Sequence, residues 1–224
     1  MNLITLLDGP SALIVFGGTA LATVLRCGWQ DCAEALRAIG SIGTRRFDAE
    51  HVRAELALQI QDIHRDGLLR ARPHEFGDRE FDDVAGALIG RRSISALLAT
   101  HEQHKIRREA HNAAPVRTFA QAAELAPVFG LAGTLISLTQ MPPSGVAGSA
   151  YAATISMAVV STLYGLIAAN LLLAPLARIF SRAAEREEVA RQSVVDWLAA
   201  QVASDVPPPR QDVRSAAGKG RAAA

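Results

Sequence analysis

The sequence predicts an all-α membrane protein in which three transmembrane helices are extended by cytoplasmic helices. Three observations predict it. Two apolar stretches, 120–141 and 149–179, each reach the roughly 20 residues that a helix needs to cross about 30 Å of hydrocarbon. A seven-residue turn of Pro, Gly, Ser and small apolar residues, 142–148, joins them as a hairpin. Every Lys and Arg falls in 26–117 or from Arg178 onward, which assigns both regions to the cytoplasm and residues 1–9 and 142–148 to the outside.

Taken in order, residues 1–9 form the external N-terminus and 10–26 the first span. Pro10 suits a first helical position, with Asp8 or Ser11 as its cap. No basic segment with a small-residue cleavage site precedes it, so it reads as a retained helix rather than a secretory signal. Residues 27–117 form a cytoplasmic helical region, in which Val52, Leu56, Ile60 and Ile63, then Val84, Leu88, Ile94, Leu97 and Leu98, recur at helical spacing. Breaks are expected near Gly67, Pro73 and Gly90. The second span is 119–141 and the third 149–179. A cytoplasmic helix follows over 180–203, patterned by Ala184, Val189, Val194, Trp197 and Leu198. The Pro-rich, basic remainder, 204–224, reads as a disordered tail.

Within the spans, Ala126, Gly130 and Thr134 recur every four residues, with Gly133 and Ser137 beside them, and Gly165 answers on the third span. In lipid such small rows let helix backbones approach, because apolar side chains gain little by leaving one apolar medium for another. Hydroxyls cluster there too: Thr134, Ser137, Ser161, Thr162 and Tyr164. Between Leu125 and Ala177 there is no Asp, Glu, His, Lys or Arg, so the chain holds no ionisable relay of its own across the bilayer.

Other chemistries find no footing. His101, His104 and His111 are interleaved with Lys105, Arg107 and Arg108, and read as solvated surface rather than a metal site. Cys27 and Cys32 fit no zinc or redox spacing and read as inert. No phosphate loop, nucleophilic triad or cofactor motif occurs, so no enzyme and no cofactor are expected. With 23 basic residues against 22 acidic, a nucleic-acid surface is not expected either.

The run Ala126-Pro127-Val128-Phe129-Gly130-Leu131-Ala132-Gly133-Thr134 resembles the "AP-x-(F/L)-G-x-x-GT" signature of the MotA/TolQ/ExbB proton-channel family. Ser161-Thr162-Leu163-Tyr164-Gly165, then Ala169-Asn170 and Pro175, is similar to its "TTLYG…AN…P" helix. Residues 8–19 resemble the "DP…LIV-x-GGT" helix of MotA-like flagellar stator subunits. The resemblance implies a ring of subunits, a pentamer, in the bacterial inner membrane around a MotB-like or ExbD-like single-span partner that supplies the ion-carrying Asp. It makes Thr134, Ser137, Ser161, Thr162 and Tyr164 the lining of an ion path. Ala126, Pro127, Gly130, Gly133, Gly165, Asn170 and Pro175 become packing and hinge positions. Arg65, Arg70 and Arg72 fall where the family contacts a cytoplasmic rotor protein, with Arg72 in the place of a Glu. Met157 stands where ExbB and TolQ carry a Glu, which favours the MotA side, and the chain begins at the second of MotA's four spans.

Two functions follow: an ion-channel subunit coupling proton or sodium flow to mechanical work, or a structural membrane scaffold of the same fold without conduction. The charge segregation makes a direct prediction. With Cys27 and Cys32 removed, single cysteines at Ser144 and Ser204 label from opposite faces of the membrane with an impermeant maleimide; labelling of both from one face contradicts the three-span topology.

Overall fold

The computed structural model describes residues 8–40, 47–66, 77–141 and 148–204, and among them every regular element is a helix. These are α1 (Gly9–Cys27), α2 (Trp29–Gly40), α3 (Ala49–Asp66), α4 (Arg79–Arg91), α5 (Ile94–Thr139), α6 (Gly148–Ile167) and α7 (Ala174–Val202). Residues 1–7, 142–147 and 205–224 lie outside the described set, and with them the outer turn and the tail. Three helical stretches are long and apolar enough to cross a membrane: Gly9–Cys27, Ile94–Thr139 and Tyr151–Val202. The second and third spans are not separate from the helices expected to flank them. One 46-residue helix contains 119–139, and helix continues from Gly148 to Val202.

The chain divides into two compact units, 1–46 with 108–187 and 47–107 with 188–224. In the first, Asp8 caps α1, its carboxylate accepting from the Ser11 N–H at 3.2 Å and from the Ser11 hydroxyl. Its own N–H donates to the Tyr164 hydroxyl at 3.1 Å, tying α1 to α6. Gly28, at φ 89°, ends α1 in a conformation that suits glycine, and α2 starts at once. Ala35 of α2 is buried with Phe119 and Ala177, and Phe119 stacks on Phe180 at 5.5 Å.

Two wide helical turns interrupt the spans, at Leu13–Gly17 and Ala168–Leu173. The second has a local cause. Pro175 has no N–H, and its ring crowds the carbonyl four residues back. The backbone relaxes by one residue, and the Ala174 N–H reaches Ala169 O instead of the usual fourth carbonyl.

The α5/α6 hairpin is closed by backbone against backbone. A Cβ built on Gly165 would lie 2.7 Å from Ala126 O, 3.1 Å from Gly130 Cα and 3.2 Å from Pro127 Cα. One built on Gly130 would lie 3.1 Å from Ser161 O and 3.3 Å from Gly165 Cα. Two further contacts use the same device: Gly133 receives the Ser161 side chain, and Gly18 of α1 lies beneath the Phe129 ring.

The second unit is held by an ordinary apolar core. Val52, Leu56, Ile60 and Ile63 of α3 meet Phe81, Val84 and Leu88 of α4, Leu97 of α5, and Val194, Val195, Leu198 and Val202 of α7. Each set recurs at three or four residues, the spacing of one helix face. Two residues of the expected apolar pattern point outward instead: Leu98 is 41% exposed and Val189 70%. The break expected near Gly90 falls at Arg92, which adopts φ 51° just after α4 ends. Gly67 and Pro73 lie outside the described residues.

The Gly165 contact predicts that Gly165→Ala weakens the hairpin by about 1 to 3 kcal/mol, because only backbone surrounds the added methyl. Reversible unfolding in mixed micelles measures it. Gly90→Ala, an exposed helical position where nothing lies within 4 Å, serves as the clash-free control and is expected to stabilise by up to about 1 kcal/mol.

Candidate functional site

The hydroxyls of the spans separate into three settings. Ser137 and Ser161 are fully buried. Ser137 donates to Gly133 O at 2.8 Å, and Ser161 divides its donation between Ala158 O at 2.9 Å and Gly130 O at 3.3 Å. Both lie inside the subunit's own hairpin. Tyr164 faces α1, its hydroxyl on the Asp8 N–H and its ring 6.1 Å from Phe16. Thr134 and Thr162 are partly exposed at the rim of the glycine crossing. Their hydroxyls donate to Leu131 O at 2.6 Å and Ala158 O at 3.2 Å. With its proton so directed, each oxygen keeps lone pairs to offer a cation or a protonated acid. The structure therefore sets Thr134 and Thr162 apart from the other three.

The packing positions are distributed as follows. Ala126, Gly130, Gly133 and Gly165 are buried in the hairpin, with Pro127 partly buried beside Gly165. Asn170 sits in the wide turn with an exposed side chain that donates to Leu166 O at 3.0 Å. Arg65 is exposed near the end of α3, whereas Arg70 and Arg72 lie outside the described residues.

The histidines require a correction. His101 is not solvated: it is 2% exposed, with Nδ1 2.7 Å from Glu80 Oε1 and Nε2 3.0 Å from Gln192 Oε1. Lys105 and Arg108 follow it one and two turns along the same face and are half-buried, and Arg107 is exposed, whereas α4 and α7 cover His101 itself. His104 is half-buried, 2.9 Å from Asp83, and only His111 is exposed. Sequence reasoning missed this cluster of His101, Glu80 and Arg191. Its one local sign was Asp78 two residues before Glu80, a capping pattern that the structure shows, with Glu80 N donating to Asp78 Oδ1 at 3.0 Å. Cys27 and Cys32 are free thiols. Burial pushes the Cys32 thiol up, and Cys27 and Asp31 add to the effect, so less of it is thiolate at neutral pH than in an open chain.

Long apolar helices, a glycine-closed hairpin and an uncharged, hydroxyl-bearing rim define a multi-pass helical membrane protein built to pack against further helices. Residues 87–193, just under half of the chain, match the MotA/TolQ/ExbB proton channel family. The family is one of channels, not of enzymes. The chain is 28% identical over 116 residues to Motility protein A of Aquifex aeolicus, a match covering 52% of this chain and 46% of that protein. Its fold matches that of chains in two solved structures. It resembles a chain of C. jejuni MotAB with a TM-score of 0.77 at 20% identity, covering 90% of this chain and 81% of that one. It resembles a chain of the MotAB stator complex of Bacillus subtilis equally, at 0.77 and 20%, covering 88% and 79%.

The two neighbouring hydroxyls of α6 are predicted to respond differently to the same kind of change. Ser161→Val places extra carbon where Gly133 already meets Ser161 Cβ, and is expected to destabilise the hairpin by about 1 to 3 kcal/mol. Thr162→Val, nearly isosteric and at the rim, is expected to fold and assemble normally. Melting temperature and size-exclusion profile in detergent check both.

Proposed function

We propose that this chain is the ion-channel subunit of a MotA-like energy-converting motor in the bacterial inner membrane. It works with a MotB-like or ExbD-like single-span partner whose Asp carries the proton or sodium ion. One observation carries the proposal: the hairpin leaves Thr134 and Thr162 open at its rim, yet has no Asp, Glu, His, Lys or Arg between Leu125 and Ala177. A charge crossing hydrocarbon needs a titratable or coordinating group. This chain supplies only neutral oxygens, so the charged group belongs to a partner helix.

In this reading the partner's carboxylate binds the ion beside Thr134 and Thr162. The two hydroxyl oxygens accept from the protonated acid or solvate sodium, standing in for part of the water the ion sheds. Ser137 and Ser161 hold the helices that carry those threonines, and Tyr164 fixes α1 against α6. Copies of the chain close a ring, a pentamer, around the partner. The N-terminus lies outside and the C-terminus in the cytoplasm, so Arg65, Arg70 and Arg72 are available to a rotor or other effector protein.

The test is flux in liposomes. The chain alone is expected to be silent in proton and in sodium gradients, and co-reconstitution with its single-span partner to open conduction. Thr162→Val is expected to lower partner-dependent flux about tenfold, the equivalent of roughly 1.4 kcal/mol from one lost polar contact. Conduction by the lone chain, or full flux through Thr162→Val, contradicts the proposal.

A further inference from the structure

The second unit contains a buried charge cluster that the channel reading does not use. At its centre, His101 of α5 is 2% exposed and Glu80 of α4 is 4% exposed. The two carboxylate oxygens of Glu80 are divided: Oε1 faces His101 Nδ1 at 2.7 Å and Oε2 faces Arg191 Nη1 at 2.8 Å. Arg191 of α7 also donates to Asp78 Oδ2 at 2.9 Å. Its guanidinium lies 4.3 Å from the Phe47 ring centroid and 5.9 Å from that of Phe81, two rings stacked on each other. Aromatic cover and burial keep water from screening these charges.

The other imidazole nitrogen decides the protonation state. His101 Nε2 lies 3.0 Å from Gln192 Oε1, with the Glu188 carboxylate 3.8 Å away. The Gln192 amide is oriented by Asp196, because its Nε2 donates to Asp196 Oδ1 at 2.8 Å. Turning the amide would bring its oxygen against that carboxylate. Both ring nitrogens of His101 therefore face acceptors, and only the doubly protonated ring has a hydrogen for each.

We infer that His101 is held as an imidazolium and serves as a proton-operated latch that ties α4 and α7 to α5 within the second unit. The groups facing it are Glu80 from α4 and Gln192 with Glu188 from α7. Arg191 and Asp78 lie behind Glu80, Asp196 lies behind Gln192, and the His104–Asp83 pair lies along the same helix. Among the described residues, the ion pairs linked to the ring set three carboxylates, Asp78, Glu80 and Glu188, against Arg191 and the imidazolium. Removing the proton leaves one acceptor facing a lone pair and deepens the negative excess, so one of the two contacts opens. The closed latch binds the proton more tightly than the open one. It therefore holds at acidic and neutral pH and releases as pH rises. The latch responds to the solution around this unit, whether or not the chain conducts ions.

The test uses the full chain in nanodiscs with 15N-labelled histidine. His101 is assigned by the signal lost in His101→Gln, and a histidine-containing model peptide is the reference for an open imidazole, near about 6.5. Hydrogen exchange of residues 79–91 is followed from about pH 6 to about pH 9 and corrected for intrinsic base catalysis. His101 is expected to keep both ring protons where the model peptide's imidazole is already neutral, and protection of 79–91 to fall about tenfold or more as His101 deprotonates. Exposed Asp196→Ala, which frees the Gln192 amide to turn, is expected to move that deprotonation to lower pH without touching the ring. It also keeps the test open if His101→Gln does not fold. A neutral His101 tautomer wherever the model peptide's imidazole is neutral, or protection that ignores the state of His101, overturns the latch. An unmoved titration in Asp196→Ala overturns the share assigned to Gln192.

Discussion

The membrane part of this protein depends on a contact made without side chains. Where α5 crosses α6, Gly130 and Gly165 bring the two backbones together, and a methyl on Gly165 would lie 2.7 Å from Ala126 O. In hydrocarbon, apolar side chains do little to favour one helix partner over lipid, so close backbone packing must supply the association. Once this crossing is set, its neighbours follow in register. Ser161 falls against Gly133 one turn along, and Gly18 of α1 accepts the ring of Phe129. Those contacts hold Thr134 and Thr162 at the rim.

The second unit is assembled by different physics. Its four helices bury a continuous apolar cluster from Val52 to Val202, the arrangement of a protein in water. Helices α5 and α7 take part in both units, and their residues change character along their length. In α7, Ala177 packs in the membrane unit and Val194, Val195 and Leu198 pack in the other. The wide turn before Pro175 is the local adjustment that lets the third span carry a proline without ending.

Charge is sorted between the units in a way that matters chemically. From Leu125 to Ala177 the chain keeps hydroxyls and no Asp, Glu, His, Lys or Arg, whereas the second unit holds Glu80, His101 and Arg191 together. Buried ions are tolerated there because each finds an opposite charge and a directed hydrogen bond. In lipid no such set is present within the chain, which leaves the charged step of conduction to a partner in the function proposed above.

The sequence by itself determined the all-helical class, the three spans and the apolar faces. Those follow from helix-length runs of apolar residues and from three-to-four spacing, and both are local properties of the chain. The small rows that contain Gly130 and Gly165 were legible for the same reason, since lipid leaves few other ways to pack. Only the tertiary structure decided which hydroxyls are open. Ser161 and Thr162 are adjacent and chemically alike, and a rotation of about 100° about the helix axis puts one inside the hairpin and the other at its rim. His101 shows the same limit more sharply. Its neighbours Lys105, Arg107 and Arg108 marked a wet helix, but Glu80 and Gln192, 21 and 91 residues away, cover the one face that carries the imidazole. Burial of a single side chain depends on what packs over it from elsewhere in the chain, and periodicity along one helix holds no record of that.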